Sequence, residues 1–493
     1  MMIRRQTAML LAAGWLVFLL CYQWWYGHLT LLDFAPIYLV GKMFLAGRWE
    51  CFYDFLTRDF GYGLLIYTGP CLGQFAAAAH YPITSENPLT LYLYSPVFIP
   101  LAVPPALLPW AVVEKIVFVL NCGAVAGIAL WAARIGARGG GAPWLFAALV
   151  LLLLPGEPAR WCVHTGQATP WMLLLTMAAW RWADRGRGWA AGAALAVAFW
   201  MKFFPALLIL HWMRSGHWRA IRAFAVAAVL WGAVGLAVFG PSVHGAYWRV
   251  LRVMSTGAPI FPVNQSFESA LMRWRLPIQR SVSNVNWYLP RDVKLAALAL
   301  KAVVLVALAV ALLRPAAGRR HTLQAALVLS ACPILLSVSW NHYTLFSLPL
   351  TALVFADAWE RLGTEGKAGP KRTVSADQRV MTPDDENVDN QEQTAPCDTR
   401  FSVSDGAWPR AAAWCWLAAL VIVVVFQQLH VQAVRWLTDE AIALVGRRSA
   451  EPFTKILLMR HLLGTLLLLA SGIASLWMTR RDEAPAIRAV STG

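Results

Sequence analysis

Asp33 stands just beyond the first apolar run of the chain, in Leu31-Leu32-Asp33-Phe34-Ala35-Pro36-Ile37-Tyr38, a few residues after Trp24-Trp25-Tyr26. Arg4 and Arg5 precede that run, and a long stretch of polar and aromatic residues follows it before strongly apolar sequence resumes. A carboxylate at the membrane surface is placed to act as an acid or base on a lipid-borne substrate. The same aspartate is also a good N-cap for a helix starting near Phe34, and Asp54 and Asp59 compete with it within the same loop.

Four other features carry candidate chemistry. His342 falls in Ser339-Trp340-Asn341-His342-Tyr343, in a tight turn between two apolar runs, where it is either an interfacial residue or an ionisable group facing a bundle interior. Lys202 lies deep in apolar sequence beside a proline, in Phe199-Trp200-Met201-Lys202-Phe203-Phe204-Pro205. A snorkelling side chain and a cation for an anionic ligand are both consistent with that setting. Gln167, in Gly166-Gln167-Ala168-Thr169-Pro170, opens a helix whose free N–H groups suit an anion, or simply caps it. Arg249, Arg252, Arg273, Arg275 and Arg280 are concentrated around Glu268 in one stretch. Guanidinium forks recognise phosphate, whether of a substrate or of lipid headgroups.

The elements that must position these groups are helices in a membrane. Of 493 residues, 59% are hydrophobic and 14% charged, against about 25% charged in ordinary soluble chains. The formal net charge of +16 does not indicate a nucleic-acid partner, because Arg and Lys fall mostly in short segments between apolar runs. The expectation is an all-α polytopic membrane protein with about eleven to thirteen transmembrane helices. Apolar runs are read at 10–27, 108–133, 143–157, 168–183, 220–239, 292–313, 322–339, 341–358, 411–428 and 455–478. Two stretches are ambiguous: 92–107, which carries four prolines, and 188–213, which breaks at Lys202 to Pro205. The arginine clusters fit one cytoplasmic face if 92–107 does not cross and 188–213 forms a hairpin. Both termini are then cytoplasmic, in a plasma (inner) membrane.

The expected organisation is a core over 1–359 with outer loops at 28–91 and 240–291, a disordered cytoplasmic linker at 360–408, and C-terminal helices and a tail over 409–493. Cys51 and Cys71 share the first outer loop, where an oxidising compartment permits a disulfide. No metal site is read from the sequence, and a divalent-metal requirement is left open.

Together these residues resemble glycosyltransferase family 87, membrane enzymes of the C-type glycosyltransferase fold that use a polyprenyl-phosphate sugar. The resemblance runs from Asp33-Phe34 and Tyr38 through Gly47, Tyr53, Tyr94-Ser95-Pro96, Gly166-Gln167, Gly192 and Lys202. It continues in Tyr247-Trp248, Asn264-Gln265-Ser266 and Ser339-Trp340-Asn341-His342-Tyr343. It implies inverting transfer of one sugar, a mannose-like hexose or a pentose, from a polyprenyl-phosphate donor to an extracytoplasmic glycolipid or glycan. By that analogy Asp33 is the base and His342 lies at the reaction centre. Lys202, Arg249, Arg252 and Gln167 contact the donor phosphate, and Tyr38, Asn264, Gln265 and Trp340 bind substrate. The partners implied are the lipid-linked donor, the acceptor and membrane lipids, with no cofactor beyond the donor. A transporter or flippase of lipid-linked sugars is the alternative, and a non-catalytic assembly subunit for envelope polysaccharide synthesis is a second.

Overall fold

The computed structural model describes residues 2–25, 31–53, 70–78, 92–137, 141–260, 263–276, 286–315, 317–364 and 447–478, with a few positions between 417 and 440. Asp54, Asp59, Arg280, almost all of the 360–408 linker and most of the 411–428 run lie outside the described residues. Helices dominate what is described: α1 (Met2–Trp25), α2 (Ala35–Leu45), α3 (Pro70–Ala78), α4 (Val103–Ala106), α5 (Trp110–Gly136), α6 (Ala142–Leu153), α7 (Glu157–Thr165), α8 (Thr169–Asp184) and α9 (Gly188–Met201). They continue as α10 (Leu208–Arg214), α11 (Trp218–Thr256), α12 (Phe267–Arg275), α13 (Arg291–Leu313), α14 (Gly318–Ile334), α15 (Leu348–Thr364), α16 (Arg447–Leu458) and α17 (Arg460–Met478). The only sheet among the described residues is a short antiparallel ribbon, β1 (Gly257–Pro259) with β2 (Asn286–Tyr288), in the register Gly257↔Tyr288.

The solvent that this fold requires is visible in where its apolar surface lies. The candidate spans in α11 and α13 have mean hydropathies of 2.2 and 2.7, yet only 17% and 28% of those stretches is buried. Val229, Leu230 and Val234 on α11, and Leu298, Val303 and Val306 on α13, are exposed. A continuous apolar exterior of this extent is unstable in water and is the expected surface in lipid. By length and composition, five described helices can cross a bilayer, or six if α6 and α7, bent by 70°, form one span. The apolar runs at 168–183, 322–339 and 341–358 become helices of sixteen or seventeen residues. These lie at the short end of what a bilayer needs. The last of them is preceded by a 3₁₀ segment at Asn341–Ser347.

Both ambiguous stretches resolve into interruptions. Residues 96–106 form a 3₁₀ turn and one turn of helix, too short to cross. The 188–213 run breaks at Lys202, whose backbone is extended, and returns through Phe204–Leu207 and α10. The return is seen in the packing: Gly188 faces Arg219, and the Trp200 indole donates to Ala228 O at 3.1 Å. Helices α9 and α11 therefore run parallel from the same end of the bundle, so 188–217 is a hairpin. Gly192 permits that approach, since a Cβ there would lie 2.4 Å from Phe224 N.

One end of the bundle gathers arginine. Arg134 bonds Thr7; Arg214 donates to Leu312 O at 2.8 Å; Arg314 stacks on Trp477. Arg319 joins three helices there, pairing with Asp357 at 2.7 Å and donating to Gly136 O at 2.6 Å and Leu353 O at 3.1 Å. Arg134, Arg214, Arg314 and Arg319, from four of the basic segments expected to share one face, thus gather at one end. The presumed second outer loop is partly helical: α11 continues past a break at Gly240-Pro241 to Thr256. C-terminal α17 packs into the main bundle, with Gly472 against Leu350 and Leu327.

Candidate functional site

At the end opposite the arginines, residues 31–34 are strapped to the C-terminus of α7. Leu31 N donates to His164 O at 3.1 Å, and Asp33 N donates to Thr165 O at 2.9 Å. The turn that receives this strap needs glycine on two counts. Gly166 has φ 70°, and a Cβ there would lie 2.7 Å from the Phe34 Cβ. Helix α2 begins one residue later than the sequence suggests, with Phe34 and not Asp33 at its cap. The Asp33 carboxylate is close enough to act electrostatically on Lys202, Tyr94, Tyr343 and Cys162.

Lys202 is carried here by the tip of the hairpin. Its Nζ lies 4.4 Å from the centre of the Tyr94 ring and 3.5 Å from Leu93 O. It acts in turn on His342, which is 1% exposed and has no hydrogen-bond partner on either ring nitrogen. The neighbouring Tyr343 ring is 4.5 Å away. Asp33, Lys202 and His342, from three distant parts of the chain, thus meet at one end of the bundle, with the lysine interacting with both other residues.

Beside them lies a cavity of about 490 Å³ whose lining includes Phe34, Phe98, Leu108, Gln167, Trp171 and Met201. Its wall is almost entirely apolar, with Asn121 and Gln167 as its polar exceptions. Leu101, Leu108, Ile116 and Leu120 on its rim are exposed. Asn121, which sequence reasoning passed over, holds the 166–167 turn: its amide donates to Cys162 O and Gln167 O and accepts from the Trp171 indole. A buried asparagine midway through an apolar helix was the available signal.

The remaining sequence candidates are placed differently. Tyr38 is buried and donates to Leu108 O at 2.9 Å. Asn264 donates to Pro259 O, and its carbonyl accepts from Ser339 N and Ser266 N. Gln265 donates to Leu458 O and accepts from Leu462 N, which ties the loop to the C-terminal helices. These side chains hold backbone segments together, where substrate contact was expected. Trp340 is half-buried and pairs through its backbone with Asn264. Arg249 and Arg252 are exposed on α11, while the neighbouring Tyr247 and Val250 are buried. Arg273 is buried and donates to Asn264 O and Ser269 Oγ, so it buttresses the loop. Arg275 pairs with Asp292 at the surface.

A buried ionic group also escaped sequence reasoning: Glu157 bonds both Arg460 and His461, all three at most 1% exposed. It fastens α17 to the start of α7. Cys51 and Cys71 form a disulfide with Cα atoms 5.6 Å apart, the pairing that the loop composition allowed.

The model of glycosyltransferase family 87 matches residues 92–339, half of the chain. That stretch contains Gln167, Lys202 and the loop arginines, while Asp33 and His342 flank it on either side. No curated protein and no solved structure shows significant similarity to the chain. The broken lysine-bearing hairpin, the bundle and the matched stretch lead to one assignment: the chain belongs to glycosyltransferase family 87 and is a multi-pass membrane glycosyltransferase.

Proposed function

We propose that this protein transfers one sugar, with inversion, from a polyprenyl-phosphate donor to an acceptor hydroxyl on the extracytoplasmic side. The observation that carries this reading is the convergence of Asp33, Lys202 and His342 beside an apolar cavity with an exposed apolar rim. The cavity accepts the isoprenoid near the phosphate, while the rest of the lipid stays in the bilayer. Asp33 takes the acceptor proton as the hydroxyl oxygen attacks the anomeric carbon. The bond from that carbon to the phosphate oxygen breaks on the opposite face, and the electron pair leaves with polyprenyl phosphate. The Lys202 ammonium stabilises the departing charge, and a His342 ring nitrogen is available to the same phosphate. Gln167, at the cavity wall, orients the headgroup.

Two features support an extracytoplasmic site. The arginine-rich end is the cytoplasmic end by the positive-inside rule, which leaves Asp33 on the other side. The disulfide between Cys51 and Cys71 belongs to an oxidising compartment. Purified protein should transfer sugar from polyprenyl-phosphate mannose, or from a pentosyl analogue, to a lipid acceptor extract, with inverted anomeric configuration by NMR. Direct use of a nucleotide sugar, or retention of configuration, would refute the proposal. Movement of intact lipid-linked sugar across vesicles without transfer would establish the carrier reading instead.

A further inference from the structure

The arginine-rich end holds a second group of titratable side chains, far from Asp33. Asp184 is the last residue of α8, His211 and His217 bracket the turn between α10 and α11, and His321 lies in the first turn of α14. Asp184 Oδ1 lies 2.8 Å from His321 Nε2 and 3.3 Å from His217 Nε2. One ligand atom from each of these three residues falls within a 4.8 Å span. Zinc with metal–nitrogen bonds of about 2.0–2.1 Å sets its tetrahedral ligands about 3.3 Å apart, so the Asp184–His217 edge is already of that length and the hydrogen-bonded Asp184–His321 edge has to open by about 0.5 Å.

The second observation is His211. It is fully buried, neither ring nitrogen has a hydrogen-bond partner, and its ring centre is 4.5 Å from that of His321. A buried imidazole with two unmet nitrogens carries a desolvation cost that a metal bond removes. On the far side of the cluster, Ser215 Oγ lies 3.4 Å from His321 Nδ1, where it can fix the tautomer that presents Nε2 inward. Arg181, the nearest cation paired with Asp184, sits on the other carboxylate oxygen at 4.0 Å.

We propose that Asp184, His217 and His321 bind a zinc-type divalent cation that clips α8, the 188–217 hairpin and α14 together at the arginine-rich end, and that the adjacent buried His211, which lies outside the 4.8 Å group, turns toward the metal as the fourth ligand. Three imidazoles and one carboxylate suit zinc better than magnesium or calcium, which prefer oxygen. The clip is separate from the sugar-transfer site and needs no part in its chemistry.

Full-length protein purified in detergent and stripped by chelator should take up one equivalent of Zn²⁺ in competition with a chelating dye. X-ray absorption should show nitrogen and oxygen ligands at about 2.0–2.1 Å. His321→Gln and Asp184→Asn should each weaken binding beyond the roughly 10–100-fold that follows loss of a supporting partner. Zinc should raise the melting temperature of the native chain but not of the His217→Ala/His321→Ala variant. If the variants fold poorly, Co²⁺ added to the native chain should give the visible bands of a tetrahedral nitrogen and oxygen site. Overturning results are weak binding at several equivalents that the substitutions do not change, an octahedral cobalt spectrum, or zinc stabilisation that persists in the double variant.

Discussion

The arginines at one end of the bundle and the ionisable groups near Asp33 at the other are bonded in opposite ways. At the arginine-rich end, Arg319 makes an ion pair and donates to backbone carbonyls of α5 and α15, and Arg214 is bonded to a helix terminus. At the other end, the His342 nitrogens have no partner, and the Lys202 amine reaches Leu93 O only at 3.5 Å, the limit of hydrogen bonding. A buried polar group that is fully bonded stabilises the fold, whereas one left unmet persists when a ligand completes it. The contrast also sorts residues within the reaction end: Asn264, Gln265 and Arg273 are engaged with backbone, while Lys202 and His342 are available.

Substituting residues of each kind tests this division. The largest effect is expected at Asp33: Asp33→Asn keeps side-chain volume but removes the base, and transfer should fall about 10²–10⁴-fold with unchanged thermal stability. Native-like turnover would shift the base to Asp54 or Asp59. Lys202→Ala should reduce transfer about 10²–10³-fold, and dependence on donor should change more than dependence on acceptor. Unaltered donor titration in a folded variant would remove Lys202 from the phosphate site. Asn264→Ala belongs to the other class. It should lower stability by about 1–3 kcal/mol, because Ser339 N and Ser266 N lose their acceptor, while the surviving folded protein keeps its donor affinity. A loss of donor binding without a loss of stability would return Asn264 to the substrate site. The smallest change is expected for Arg249→Ala combined with Arg252→Ala, less than about tenfold, through weaker association with anionic lipid. A collapse of turnover in that variant would show that these exposed arginines reach the donor.

The helix break at Lys202 was legible in the sequence because a charge beside a proline interrupts an apolar run. The same applied to the membrane class and to the gathering of arginines on one face. Asn264 and Gln265 misled for a physical reason: their partners are backbone atoms of segments far along the chain, such as Ser339 and Leu458, which composition cannot reveal. Asn121 and Glu157 were hidden by the reverse effect, as single polar residues whose bonds form only after α5, α7 and α17 have packed. Helix length was also underdetermined, since apolarity at 241–256 does not say whether the chain continues past Gly240 as helix or loop. The group formed by Asp184, His217 and His321 was invisible because its members come from three separate elements.

The hairpin at 188–217 bears on how the chain inserts. Its two legs begin and finish at the arginine-rich end, so it adds no net crossing between α8 and α11. The translocation machinery can therefore thread every downstream segment in the same sense with or without it. Excising the hairpin should remove Lys202 while leaving a reporter fused after α13 on its original side of the membrane. Orientation and catalytic equipment are in this way encoded separately, and the lysine-bearing tip is free to vary without inverting the rest of the protein.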